Sequence, residues 1–385
     1  SSKLTKFFVG NITVYPEFSP DTAGLSRTDT IINDIKISYY RHLFKPKIFP
    51  QNIFFRRGDL YKEYRYFKTI NRFNILGAWR LAAIDKNPRK DLDTVDLVIK
   101  LTPANKYTFS ANLEGSRNTS IVSGNLFGVG VNTGIQNRNF AKAAIQTNTS
   151  IRFGIEVSDS SLIQTKQFSV SHNIIFPKPI PNVSWIPERL RDNFRTIFSF
   201  NAGNTERKDL YNLTNVNGSW GYELQLNKKL FTLRVPNIEY AYLKRRAKLI
   251  ELIDSTPSLN SIFTDGLISS IAAGVTISGG RKNDINVFRA NVEESGGLTG
   301  LIPSKFLDSN LYRYIKLDAE FVQKIAYGKK ALVFRVFGGL GYEYNSTVNS
   351  LRRSNLPFFK EYFAGGPNSM RAWGIRRLGP GSTIA

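Results

Sequence analysis

The chain has 385 residues, a formal net charge of +23, no cysteine and two histidines, His42 and His172. Disulfides and thiolate metal sites are therefore excluded, and the histidines lie too far apart in sequence to suggest a local metal motif. No apolar run approaches the roughly 20 residues of a spanning helix, but strands of about 10 alternating residues would still permit a membrane barrel. The start at Ser1-Ser2-Lys3 has no signal-peptide pattern and is read as a processed or trimmed N-terminus.

Residues 1–104 read as a small α+β domain. Phe7 to Tyr15 predicts a first strand and Ile35 to Tyr40 a further one. Asp59 is the expected N-cap of a helix whose apolar face is Leu60, Tyr64, Phe67 and Ile70. Leu76-Gly77 ends that helix. A strand follows from Trp79 to Ile84, then a polar turn around Asn87-Pro88. Val95, Leu97, Ile99 and Leu101 then alternate strictly with polar residues, which predicts one buried strand face.

From about Lys106 the period changes to two. Tyr107, Phe109, Ala111 and Leu113 alternate with Thr108, Ser110 and Asn112. Ile315, Leu317, Ala319 and Phe321 alternate with Lys316, Asp318 and Glu320, and Leu332, Phe334, Val336 and Leu340 oppose Arg335, Gly339 and Gly341. Eleven such segments begin near Tyr107, Leu126, Ala141, Thr165, Arg195, Leu213, Leu230, Leu267, Asn283, Tyr312 and Lys330. Residues 247–263 suggest a short amphipathic helix in an extracellular loop.

Either a soluble sandwich or a barrel could own this pattern. Three features favour the barrel: charges at mid-strand on the polar faces, long strands, and tyrosines at strand ends (Tyr240, Tyr242, Tyr312, Tyr314, Tyr342, Tyr344), as in an interfacial girdle. A charge turned to lipid at mid-bilayer costs roughly 2–4 kcal/mol, so the faces are strongly enforced. His172 falls on the apolar face of its strand, and no chemistry is assigned to it. Such a charge would also suit nucleic acid, but the cations sit in turns and loops (Lys228-Lys229, Lys329-Lys330, Arg352-Arg353, Arg376-Arg377) or past a strand end (Lys244-Arg245-Arg246). That placement suits barrel rims against anionic head groups, so no nucleic-acid partner is expected.

No catalytic constellation is visible: no Gly-x-Ser-x-Gly elbow, phosphate loop or metal spacing. The Gly128-x-Gly130-x-x-x-Gly134 spacing is wrong for a dinucleotide fingerprint. Neither an enzyme nor a cofactor is expected.

The stretch Phe363, Gly365, Gly366, Ser369, Met370, Arg371, Ala372, Trp373, followed by Leu378, Gly379 and Pro380, resembles the signature loop of the BamA/TamA superfamily of outer-membrane insertases. Ala372 and Trp373 stand where Gly and Phe or Tyr are usual, and the form is most similar to the TamA-like lipoprotein branch, TamL. The phrases Phe55 to Tyr61 and Leu76 to Trp79 resemble a POTRA domain. The resemblance implies a membrane β-barrel, antiparallel and sixteen-stranded in the family, preceded by a small α+β POTRA domain. The expected division is 1–104 POTRA-like and 105–385 barrel.

The family's signature loop follows the eleventh strand, which matches the count here. The last five strands would then lie beyond Ala385, and the natural protein is expected to continue. Arg371 would reach a carboxylate on the barrel's inner wall, since a guanidinium can bind a carboxylate bidentately. Gly365-Gly366 would allow a tight reversal, with Phe363 and Trp373 wedging the loop. The first barrel strand (Tyr107, Thr108, Phe109, Ser110, Ala111, Asn112, Leu113) would form the lateral gate. Asn137-Arg138-Asn139-Phe140 resembles a family turn and is read as structural.

The implied partners are nascent outer-membrane or surface-exposed clients, a periplasmic accessory protein of the TamB kind or other assembly subunits, and membrane lipids. The implied location is the bacterial outer membrane with the N-terminal domain in the periplasm. A passive pore or a two-partner-type secretion transporter for one substrate is the alternative.

Overall fold

A computed structural model describes residues 6–19, 26–90, 92–120, 124–158, 161–181, 186–255, 259–281, 283–344 and 356–362, with 365 and 370. The N-terminal elements are β1 (Phe8–Tyr15), β2 (Thr28–Ile32), β3 (Ile35–Tyr39), α1 (Ile48–Asn52), α2 (Glu63–Leu76), β4 (Trp79–Pro88) and β5 (Thr94–Pro103). Their strands form one sheet in the order β2-β3-β1-β5-β4. β1 lies parallel to both β3 and β5, and the remaining pairs are antiparallel.

The alternation in β5 does what its sequence requires. Val95, Leu97, Ile99 and Leu101 are buried against Phe49, Phe73 and Trp79 in one core. The indole of Trp79 stacks on Phe44, meets Phe73 edge-on, and donates its N–H to the Pro16 carbonyl (3.0 Å). Buried Glu17 accepts the backbone N–H groups of Tyr40 (3.0 Å), Arg41 (2.6 Å) and Leu43 (2.6 Å), so the turn after β3 keeps its donors satisfied.

Three details differ from expectation. Helix α2 starts at Glu63, and Asp59 is not its cap. Asp59 instead accepts Val9 N–H through its carbonyl (2.8 Å), and Tyr61 N–H bonds Phe7, so residues 59–61 extend the pairing along β1 before the helix can begin. The buried helix face is also rotated. Thr69, Arg72, Phe73 and Leu76 are buried, whereas Tyr64 and Phe67 are exposed. Finally, β4 runs on through Asn87-Pro88, because its pairing with Asp96 and Val95 persists to that point. Gly77 closes the helix at φ 67°, a left-handed C-terminus that favours glycine.

The second part is one sheet of eleven strands: β6 (Tyr107–Ser120), β7 (Gly124–Phe140), β8 (Ile145–Ser158), β9 (Ser161–Phe176), β10 (Phe194–Arg207), β11 (Tyr211–Leu226), β12 (Lys229–Arg245), β13 (Gly266–Arg281), β14 (Asp284–Ser295), β15 (Tyr314–Tyr327) and β16 (Lys330–Glu343). Each strand neighbours the next in sequence, from β6 at one edge to β16 at the other. Short helices α3 (Glu188–Arg191), α4 (Ala247–Ser255), α5 (Leu259–Ile262) and α6 (Lys305–Asn310) lie in connections. The segment expected to hold one helix carries α4 and α5. Among the described residues no helix is long and apolar enough to cross a membrane, which says nothing of strands.

Two compact units divide the chain. The first takes Ser1–Ser110 with Gly134–Thr149 and Asn173–Arg195; the second takes the rest. Within the first, Asn139 donates to the Leu43 carbonyl (2.9 Å) and accepts Ala144 N–H (3.1 Å), and Gln146 donates to the Leu76 carbonyl (2.9 Å). Buried Arg72 spreads its fork over three acceptors: Asn52 Oδ1 (2.7 Å), the Asp192 carbonyl (2.6 Å) and the Pro177 carbonyl (2.5 Å). Lys68 pairs with the Asp192 carboxylate (2.5 Å).

Candidate functional site in the polar face of the sheet

The register of β13 to β16 sorts side chains into two faces. Ile315, Leu317 and Phe321 point to one side with Leu332, Phe334, Val336, Leu340 and Tyr342, and all are exposed large apolar groups. Lys316, Asp318 and Glu320 point to the other, opposite Glu293, Asn291 and Arg289 on β14. The charges on this second face are paired: Arg289 (2.8 Å) and Arg335 (2.5 Å) both contact Glu320, and Asn291 donates to Asp318 (2.7 Å).

A register shift extends this face across β12. The pairing with β13 slips between Arg234 and Asn237. Strict alternation would put Asn237 and Glu239 on the side of Leu233. The bulge reverses the parity, so Asn237 stands opposite Ser270 and its side chain donates to both Ser270 (3.0 Å) and Glu239 (2.9 Å).

Residues 356–362 lie against this surface. Lys360 reaches Glu239 (3.2 Å) and both oxygens of Glu293 (3.0 and 3.2 Å). Glu293 also accepts Tyr314 Oη (3.0 Å) and Ser270 Oγ (3.0 Å). The carboxylate of Glu293 and the Lys360 ammonium are largely shielded, at 16% and 17% side-chain exposure, so their attraction is far less screened than that of a surface pair. Tyr362 donates to the Leu317 carbonyl (2.9 Å) and to Asp318 (3.3 Å), with the Lys316 ammonium 4.3 Å from its ring centre. A Cβ on Gly339 would sit 2.5 Å from the Tyr362 ring, and one on Gly341 would sit 2.8 Å from Leu356. The glycines of β16 thus leave the space that the segment fills.

This geometry corrects part of the girdle expectation. Tyr342 and Tyr242 are exposed. Tyr314, however, is fully buried and belongs to the Glu293 cluster. Tyr312 is also buried, with its hydroxyl on Thr264 (3.1 Å) and the Asp265 carbonyl (3.1 Å), and Tyr344 donates to Glu294 and to the Ser295 carbonyl (2.6 Å). Their strand-end positions look like a belt in sequence, but Tyr314, opposite Ser295, has the parity of Lys316 and Asp318 and so turns away from the apolar face.

Of the signature residues, Gly365 has φ 97°, in the left-handed region that favours glycine, and Met370 is exposed. Phe363, Gly366, Ser369, Arg371, Ala372, Trp373, Gly379 and Pro380 lie outside the described residues. Tyr107, Thr108, Phe109, Ser110, Ala111, Asn112 and Leu113, the residues expected to form a gate, make up the exposed start of the edge strand β6. Arg138 of β7 donates to Thr108 Oγ1 there.

Such a wall, apolar outside and polar on the face that carries a docked segment, is an antiparallel barrel wall preceded by a small α+β region. Residues 286–384 match the family profile of the Omp85 superfamily domain. The fold is similar to that of BamA from Haemophilus ducreyi lacking POTRA domains 1–3, with TM-score 0.57 and 10% identity over 91% of this chain and 65% of that one. It is also similar to CdiB from Acinetobacter baumannii (TM-score 0.51, 11% identity, 94% of this chain and 56% of that one) and to CdiB from Escherichia coli (0.52, 9%, 97% and 73%). The chain thus spans less than two thirds of the first two relatives' length. No curated protein sequence matches it. These findings support the Omp85 superfamily and give a BamA-like barrel as the fold class.

Proposed function

We propose that this chain belongs to a non-enzymatic factor that inserts or exports β-barrel or surface proteins at the bacterial outer membrane. The observation carrying this reading is the docked segment 356–362, clamped by Lys360 within the stretch that matches the Omp85 profile. A passive pore would leave that polar face to water and solutes. In the proposed mechanism residues 1–104 act as a periplasmic POTRA-like domain whose sheet edge receives an extended client. The edge strand β6 then serves as the lateral gate, templating client strands while locally thinned bilayer lowers the barrier. The client's own folding free energy drives insertion, so no nucleotide or cofactor takes part.

Arg371, behind the clamped segment, is the proposed anchor of the signature loop, with Gly365-Gly366 turning the chain and Phe363 and Trp373 packing it. The TamL branch, and a partner of the TamB kind, are the finer assignment. Reconstituted vesicles test the reading. Arg371→Glu should impair assembly of added client barrels, and normal assembly by that variant would refute the loop's role. The fold similarity to CdiB keeps a dedicated secretion transporter as a second reading. Dependence on a single exported substrate, together with steady ion conductance, would favour it.

A further inference from the structure

The function proposed above does not use the chain's excess of cations. Because the strands alternate in direction, the turns β11–β12, β13–β14 and β15–β16 share one end of the sheet, the end at which the chain enters β6. These turns carry Lys228, Lys229, Arg281, Lys329 and Lys330, all exposed. None of the five forms an ion pair among the described residues; of their side chains, Lys228 alone makes a hydrogen bond there, to the Gly280 carbonyl (3.4 Å). A carboxylate in the row, Asp284, stands opposite Arg281 in register and accepts Gln323 Nε2 (3.2 Å). At the opposite end, by contrast, Arg246 is paired with Glu206 and Arg313 with Asp308.

Register places three of these cations on the apolar face. Lys229 pairs with Ile277, on the side of Phe231 and Leu233. Lys330 pairs with Tyr327, on the side of Leu332 and Phe334. Arg281 has the same parity as Ile277. Each lysine therefore begins a column of cation, then apolar group at i+2, then apolar group at i+4, rising at about 3.4 Å per residue. Tyr327 stands beside Lys330, 66% exposed.

We infer that Lys229, Arg281 and Lys330 form a collar for the head groups of anionic phospholipids, whose acyl chains lie along Phe231, Leu233, Leu332 and Phe334. The inference rests on the membrane reading above and adds to it a lipid class and a position. A soluble polyanion would engage the cations and ignore the apolar columns. A phospholipid uses both, since the ammonium and guanidinium groups meet phosphate where the strand leaves the hydrocarbon.

Electron spin resonance of spin-labelled phosphatidylglycerol and phosphatidylcholine, with the full-length protein in bilayers, tests this. Wild type should immobilise phosphatidylglycerol preferentially, and about 0.5 M salt should weaken that preference by screening. The triple variant Lys229→Gln, Arg281→Gln, Lys330→Gln should lose roughly fivefold in relative association at each collar site. The control triple Lys244→Gln, Lys248→Gln, Lys305→Gln removes equal charge from the opposite end and should keep the preference. An unchanged preference in the collar variant, an equal loss in the control, or abolition by inorganic phosphate at constant ionic strength would overturn the collar. No immobilised lipid of either kind around wild type would instead sink the membrane reading itself.

Discussion

Replacing Lys360 by Met isolates the clamp. The change keeps an unbranched chain of similar length and removes one charge. Glu293 keeps Tyr314 and Ser270 as donors, and Glu239 keeps Asn237, so neither carboxylate is left bare. Breaking a fully buried pair costs roughly 3–5 kcal/mol, and an exposed pair is worth at most about 1 kcal/mol. With Glu239 at 30% and Glu293 at 16% exposure, and these residual bonds, the loss should be about 2 kcal/mol. That corresponds to a roughly 30-fold increase in the undocked fraction of residues 356–362. Amide hydrogen exchange at Lys360 and Glu361, whose N–H groups bond the Pro357 and Phe358 carbonyls, reads that fraction directly. Exchange should accelerate about 30-fold in Lys360→Met and stay close to wild type in Lys360→Arg, which keeps a cation between Glu239 and Glu293. A change under threefold in Lys360→Met would refute the clamp.

Gly339→Ala should also loosen the segment, because its new methyl would fall within 2.5 Å of the Tyr362 ring; faster exchange at Glu361 checks it, and Gly338→Ala, which meets no atom within 4 Å, is the control. Arg72→Met leaves acceptors on buried Asn52 and on half-buried Asp192 and Pro177 without their donor, which should cost about 3 kcal/mol and open the β9–β10 connection to protease in limited digestion. Asp96 is held below the usual carboxylate range by its hydrogen bond from Arg89, aided by Asn11 N–H. A depressed folded pKa means stabilisation that is present above the unfolded value near 3.8 and lost as pH falls through the folded one. Asp96→Asn should therefore lower the protection of β1 amides at neutral pH, and the difference from wild type should shrink below about pH 4.

The eleven strands were legible because a sheet with two unlike faces forces a period of two along its strands, interrupted only locally where a bulge such as that of β12 intervenes. The start of β13 near Leu267 and of β16 near Lys330 follows from that pattern alone. Elements governed by distant pairing were harder to read. Asp59 has a good capping side chain, but its backbone is taken by Val9 fifty residues earlier, which delays α2. Arg72 looks like a solvent-facing helix residue in sequence, and only the β9–β10 connection supplies its acceptors. Lys360 carries no local signal: its partners Glu239 and Glu293 lie 121 and 67 residues away. Even with those partners in view, a parity argument that missed the β12 bulge would have turned Glu239 outward.

The cysteine-free sequence offers the most direct test of the two-faced wall. Single cysteines placed by Leu317→Cys, Phe321→Cys and Leu340→Cys on the apolar face, and by Asn291→Cys and Arg289→Cys on the polar face, can be challenged in native membranes with a water-soluble maleimide and with a bilayer-confined quencher acting on a thiol-linked dye. The first three should resist the maleimide and be quenched by the lipid probe, while the last two should react and escape quenching. Aqueous labelling of Leu317→Cys, Phe321→Cys and Leu340→Cys at the rate of a free thiol would contradict a lipid-facing wall.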